Sequence, residues 1–292
     1  MKYILFLIFF KKERLSFNKY AERLIKNNQQ TMKISKGKIR NKKTVEQELN
    51  EMQEMDDFLK DQVRSFQYKI NCKFKNKKQK SLFDTILENR ITFVRGSAGT
   101  GKTLISLMAG LECLKDKQMN IGQIILTKPI VEITSQRGLG ALPGDINEKT
   151  LAYYTHFYDN LTKLIGTYQT KYLKENGFIK ETVLNYLRGS TFGQYTSDGK
   201  SIGSFCIFDE SQNCTIQEMK TFISRMGENS KLVILGDTDQ IDLKLMKGEK
   251  CGLEDAIERL QDLPGIGFIE FTEDEIVRDP FLVEIMKRYK KS

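Results

Sequence analysis

Apolar and polar positions along the chain fall first into a helical pattern and then into an alternation of short apolar runs with amphipathic segments. From Thr44 to about Tyr68, Val45, Leu49, Met52, Met55, Leu59 and Val63 recur at three- and four-residue steps, which predicts a helix. Thr44 and Gln47 form a capping box at its start. A lysine-rich stretch follows, and a second short helix is predicted from about Gln79 to Asn89. Strands are then expected at Ile91–Arg95, Gln123–Thr127, Ser204–Asp209, Lys231–Leu235 and Gly267–Phe271. Helices are expected at Lys102–Lys115, Thr215–Met226, Leu253–Leu260 and Pro280–Tyr289. Short apolar strands separated by helices argue for a mostly parallel sheet covered on both faces. Between Leu151 and Gly189 lies an aromatic-rich segment (Tyr153, Tyr154, Phe157, Tyr158, Tyr168, Tyr172) that reads as a mostly helical insert.

Composition narrows the class. At 292 residues with 39% apolar and 29% charged positions, the chain can bury a large core and is too apolar for disorder. Five cysteines form no C-x-x-C pair, which argues against a zinc ribbon or disulfide framework and for a reducing, cytoplasmic setting. The single histidine, His156, excludes a His-rich metal site and is expected to be a packed or hydrogen-bonded residue of the insert. The net charge of +9 is misleading as an average. Residues 1–43 carry 13 Lys/Arg against Glu13 and Glu22, while the remainder is close to neutral. The basic pI therefore describes an arm rather than a basic body, and global charge is no argument for nucleic acid. The apolar run Tyr3–Phe10 is too short to cross a bilayer, and lysines follow it without a small-residue cleavage site. Residues 1–31 are accordingly expected to be an upstream or disordered segment ahead of Met32, with no membrane role.

Chemistry concentrates in three places. Gly96-Ser97-Ala98-Gly99-Thr100-Gly101-Lys102-Thr103 matches G-x-x-x-x-G-K-[ST] in full, after a predicted strand and before a predicted helix. Backbone N–H groups of such a loop turn inward on phosphate oxygens, and the helix N-terminus adds positive dipole. With Leu104, these residues form the expected nucleotide-binding set. Lys102 would hold the β- and γ-phosphates and the Thr103 hydroxyl would ligate Mg²⁺. The second place is Phe205–Phe208 followed by Asp209 and Glu210, two carboxylates at the C-terminal end of a buried strand, the edge at which α/β sheets bind ligands. Asp209 is placed on the Mg²⁺ side, directly or through water, and Glu210 as acceptor of a proton from attacking water. The third is Gly236-Asp237-Thr238-Asp239-Gln240 after Lys231–Leu235, where Gln240 can orient the lytic water or sense the γ-phosphate.

The combination of GSAGTGKT (96–103), LTKPIVE (126–132), LGALPGD (139–145), the block from Phe208 to Leu243 and DEIVRDP (274–280) resembles the PhoH-like ATPase family. The resemblance covers about residues 75–290. It implies a three-layer P-loop NTPase fold with a core like half of a superfamily 1 helicase, ATP and Mg²⁺ as cofactors, and the family's link to phosphate starvation. It also implies an adenine-reading role for Gln79, a γ-phosphate-facing arginine at Arg278, and proximity of Thr127 and Pro129 to a single strand's backbone. The family's R-G-[RK]-T segment reads Arg188-Gly189-Ser190-Thr191 here, so one basic contact is missing. Fewer than eighty residues precede the core, and no nuclease domain is expected.

The expected organisation is a basic arm at 1–43, a helical lead-in at 44–74, and a P-loop ATPase domain at 75–292 with a helical insert at about 148–190. The function implied is Mg²⁺-dependent ATP hydrolysis coupled to RNA or single-stranded DNA, in a homo-oligomeric ring that is plausibly a hexamer. The alternatives are an ATP-dependent oligomeric scaffold without nucleic-acid remodelling and, in third place, a P-loop kinase.

Overall fold

The structure is a computed structural model of the whole chain. It describes residues 68–129, 146–184, 191–195, 199–243, 245–246 and 248–277, with the single positions Phe281 and Arg288. The predicted arm, the helix beginning at Thr44, the LGALPGD segment, Arg188–Ser190 and most of the predicted closing helix lie outside these residues.

Six strands run parallel in one sheet: β1 (Ile91–Gly96), β2 (Ile121–Lys128), β3 (Ile179–Val183), β5 (Ser201–Phe208), β6 (Lys231–Gly236) and β7 (Ile266–Phe271). Their order is β3-β2-β5-β6-β1-β7, and a two-residue β4 (Gln194–Tyr195) pairs antiparallel with the start of β5. The period-2 alternation of the strands builds two cores. Val94, Ile124, Leu126, Phe205, Ile207, Val233 and Leu235 face one side. There they meet α1 (Lys77–Glu88), α2 (Lys102–Lys115), α3 (Ile146–Ile165) and α4 (Thr167–Glu175). Phe93, Ile125, Cys206, Phe208, Leu232 and Ile234 face the other, against α5 (Ile216–Ile223) and α6 (Gly252–Leu260). This is the three-layer, P-loop NTPase-like architecture expected.

The insert is mostly helical and adds one short strand. It holds two helices, but it also contributes β3, which pairs parallel with β2 and forms one edge of the sheet. The strand is only five residues long, and Lys180 and Glu181 interrupt its apolar positions, so no apolar run marks it in the sequence. Glu181 accepts from the Tyr158 hydroxyl of α3 and from Lys174 Nζ of α4 (2.6 Å), which locks both helices to that edge. At the start of the described chain, Tyr68 is buried and its hydroxyl donates to Leu111 O at 2.7 Å; residues 68–76 are not helical.

The end of α1 depends on a residue from the middle of the sheet. Lys231 Nζ donates to Leu87 O (2.8 Å), Asn89 O (2.7 Å) and Ile86 O (3.3 Å), carbonyls that the helix terminus leaves without intrahelical partners. Burial pushes the Lys231 ammonium below its ordinary value, yet these acceptors hold the group in place. Lys231→Met is expected to cost about 1–3 kcal/mol, since it leaves acceptors unpaired in a half-buried site. A lowered urea midpoint at unchanged slope is the measurement, and an unchanged midpoint would contradict the capping role.

Candidate functional site

The strand order decides what stands at the C-terminal edge of the sheet. One strand, β6, separates the glycine-loop strand β1 from the Asp-Glu strand β5. The segment after β6 therefore sits between the loop and the two carboxylates, and three sequence-distant motifs converge.

The loop turns because two of its glycines meet conditions that a side chain would not. Gly96 pairs with Phe271 of β7 so closely that a Cβ would lie 2.5 Å from Phe271 O. Gly101, the N-cap of α2, has φ 87°. Lys102 folds back across the loop, and its Nζ donates to the carbonyls of Gly96 and of Ser97 (2.9 Å). Thr100 is fully buried, with its hydroxyl on Ser97 O at 3.1 Å. Val277 N–H donates to Gly99 O at 3.0 Å, Leu104 packs against the core, and the Ala98 N–H reaches across to Asp237 Oδ2 at 3.0 Å.

Asp209 is buried at the end of β5. Its Oδ2 accepts from Thr103 Oγ1 at 2.9 Å and from His156 Nε2 at 3.3 Å, and its Oδ1 accepts from the Glu210 N–H at 3.0 Å. Burial pushes the Asp209 carboxyl up, but His156, Lys128 and Thr103 together outweigh it and hold the group below the ordinary carboxylate value. Mg²⁺ takes hydroxyl and carboxylate oxygens, and Thr103 Oγ1 and Asp209 Oδ2, 2.9 Å apart, are the two side-chain oxygens here that would suit it. Among the described residues no group of three or more His, Cys, Asp and Glu could hold a metal.

Glu210 occupies the left-handed region (φ 55°, ψ 31°), an unusual conformation for a glutamate that typically costs about 1–2 kcal/mol. The one-turn 3₁₀ helix Ser211–Asn213 pins it there, with Ser211 Oγ donating to Leu235 O (2.7 Å) and Asn213 Oδ1 accepting from the Asp242 N–H (2.7 Å). Glu210 is consequently exposed beside buried Asp209. Gln212, fully buried, was not singled out in the sequence. Its Nε2 donates to Glu210 Oε2 (2.8 Å) and Gln240 O (3.1 Å), and its Oε1 accepts from the Asp237 N–H (3.0 Å). Gln240 in turn donates from Nε2 to Asp237 Oδ2 at 2.9 Å.

A protein-family model described as PhoH-like protein matches residues 71–290. The chain belongs to the PhoH-like protein family. The PhoH-like protein of Bacillus subtilis (strain 168) is 35% identical over 242 residues, which are 83% of this chain and 71% of that protein. Protein PhoH of Escherichia coli (strain K12) is 33% identical over 217 residues, 74% of this chain and 57% of the relative. Among solved structures, Pif1 helicase from Candida albicans shares 14% identity at a TM-score of 0.36, over 74% of this chain and 44% of that one.

In this PhoH-like chain Gln79 lies beneath the loop, almost wholly buried. Its Oε1 accepts from the Lys75 N–H (2.8 Å), and its Nε2 donates to Thr100 O (2.9 Å). Both ends of the amide are thus engaged, and the side chain tethers the loop. Arg278 lies outside the described residues. Thr127 and Pro129 are buried, which leaves Lys128 as the more accessible member of that segment. Tyr154 is buried as well, with its hydroxyl on Thr182 O (2.8 Å), whereas Tyr153 and Tyr168 are exposed. The loop tether has a direct consequence. Gln79→Ala is expected to weaken ATP and GTP alike, by several-fold, in a fluorescent-nucleotide competition assay. A loss confined to ATP would instead assign the amide to adenine recognition.

Proposed function

We propose that this chain is a Mg²⁺-dependent ATPase coupled to RNA or single-stranded DNA. The observation that carries the hydrolytic part is the pairing of Thr103 with Asp209, with Glu210 exposed and braced by Gln212 at the same sheet edge. The loop's backbone N–H groups and Lys102 bind the phosphates, and Lys102 exchanges its loop carbonyls for phosphate oxygens. Thr103 and Asp209 would hold Mg²⁺ beside the phosphates, and the ion would supply positive charge against the transferred group. Glu210 takes the proton of the attacking water, and Gln240 orients that water or reads the γ-phosphate. A kinase would gain nothing from a water-activating carboxylate at position 210. Coupling to a polynucleotide rests on the resemblance to helicase-like cores, and a scaffold would lack stimulation by nucleic acid. No described helix is long and apolar enough to cross a membrane.

Lys102→Ala is expected to lose nucleotide binding. Glu210→Gln should keep binding and lose turnover by about 10²–10⁴-fold. Phosphate release measured with single-stranded RNA, single-stranded DNA and duplexes checks both parts. Wild-type turnover in Glu210→Gln would remove the base assignment, and a rate indifferent to every polynucleotide would favour the scaffold.

We further propose that the chain forms a hexameric ring in which Arg278 faces a γ-phosphate. Arg278→Ala should bind ATP nearly normally and turn over about 10³-fold more slowly. Mixing it with Lys102→Ala subunits tests the geometry. Recovered activity shows an arginine acting across an interface, and none shows one acting within its own subunit. Full activity from a strict monomer would end the ring proposal.

A further inference from the structure

The chain's only histidine has no part in the chemistry assigned above, yet it touches the carboxylate at the centre of it. His156 stands on α3, the first helix of the insert, and reaches the end of β5 from another layer of the fold. Its position is fixed by its neighbours on the helix. Tyr154, Phe157, Leu161 and Leu164 form a buried stripe at three- and four-residue steps. The Phe157 ring lies 4.0 Å from the imidazole, centroid to centroid, and the Lys128 ammonium stands over that ring, 5.6 Å from its centroid. The Tyr154 hydroxyl ties the same turn to β3. The imidazole is thus presented by a rigid helix, partly exposed, with Nε2 directed at Asp209 Oδ2. A carboxylate only accepts, so Nε2 carries the proton of this bond.

That oxygen is the one the Thr103 hydroxyl also occupies. A hydroxyl that turns a lone pair to a cation is free to give its proton elsewhere, and Oδ2 then keeps one fixed donor, the imidazole. Donors behind a metal-binding side chain set its orientation, and their removal commonly costs about 10–100-fold in metal affinity. We propose that His156 is a positioning residue for the Asp209 carboxylate, and that it couples helix α3 of the insert to the loading of Mg²⁺ with nucleotide. The inference rests on the nucleotide-binding reading of the loop. It goes further in giving the insert a direct hold on the cation side of the site, which the P-loop motifs alone do not supply.

The test uses the full chain and a non-hydrolysable fluorescent ATP analogue, titrated with Mg²⁺ and, separately, in EDTA. In His156→Ala the Mg²⁺ concentration for half-maximal binding should rise about ten-fold, with binding in EDTA unchanged. His156→Gln, whose amide can donate in place of Nε2, should recover most of the loss. A helix-packing role alone would shift both conditions together. A second measurement needs no variant. Because the chain has one histidine, ¹⁵N-histidine labelling yields a single imidazole spectrum. That spectrum should shift with Mg²⁺ and analogue together and stay in place with analogue in EDTA. An unchanged or lowered Mg²⁺ requirement in His156→Ala, or an imidazole signal indifferent to Mg²⁺ loading, overturns the proposal while leaving the nucleotide reading intact. Absence of Mg²⁺-dependent binding in the wild type overturns both.

Discussion

Two carboxylates taken out of water at one edge of a parallel sheet govern the arrangement of this site. Burying an anion is costly unless donors replace its hydration, and Asp209 and Asp237 are both buried. Their donors come from separate parts of the chain. Asp209 draws on Thr103 of α2, His156 of α3 and its own neighbour's N–H, and Asp237 draws on Ala98 of the loop, on Gln240 and on the Asp239 N–H. Satisfying the two charges therefore joins the glycine loop, the insert and the ends of β5 and β6. The phosphate loop is not a motif attached to a scaffold. Its shape is held from both sides by acids that must be hydrogen-bonded for the sheet edge to exist.

The same constraint explains which parts of the molecule could be read from the sequence. The strands β1, β5 and β6 are legible because each is an apolar run that ends in a glycine or an acid, and the glycine loop is legible because its spacing and its strand–helix context coincide. The two faces of the sheet follow from strict alternation, as Phe205 and Ile207 against Cys206 and Phe208 illustrate. β3 was not legible. Its Ile179 and Val183 are buried, but the three residues between them are polar, and a pattern so short is decided by the neighbouring β2 rather than by local preference. His156 was placed correctly as a hydrogen-bonded residue of the insert, but no spacing rule could name its partner, fifty-three positions away. Gln212 was hidden for the same reason. Only the intervening β6 brings the Asp237 N–H and the Gln240 carbonyl to its amide.

The identity of residue 212 follows from what it must satisfy at once. The site asks for one acceptor, facing the Asp237 N–H, and for donors facing the Glu210 carboxylate and the Gln240 carbonyl. An amide supplies both, with two N–H groups and a carbonyl on one rigid plane. A glutamate would set a buried charge against the exposed Glu210 carboxylate, and an apolar residue would leave the Asp237 N–H unpaired inside the protein. The left-handed backbone at Glu210 belongs to the same solution. It turns the Glu210 side chain outward while its N–H returns to Asp209. One carboxylate is thereby buried, and its immediate neighbour is exposed. Strain of this kind persists only where the surroundings over-determine it, and here Ser211, Gln212 and Asn213 are each bonded to the segment around β6. The polar turn after β5 and the loop after β6 are thus joined by hydrogen bonds, and the one buried amide of Gln212 links the Glu210 carboxylate to the Gln240 carbonyl.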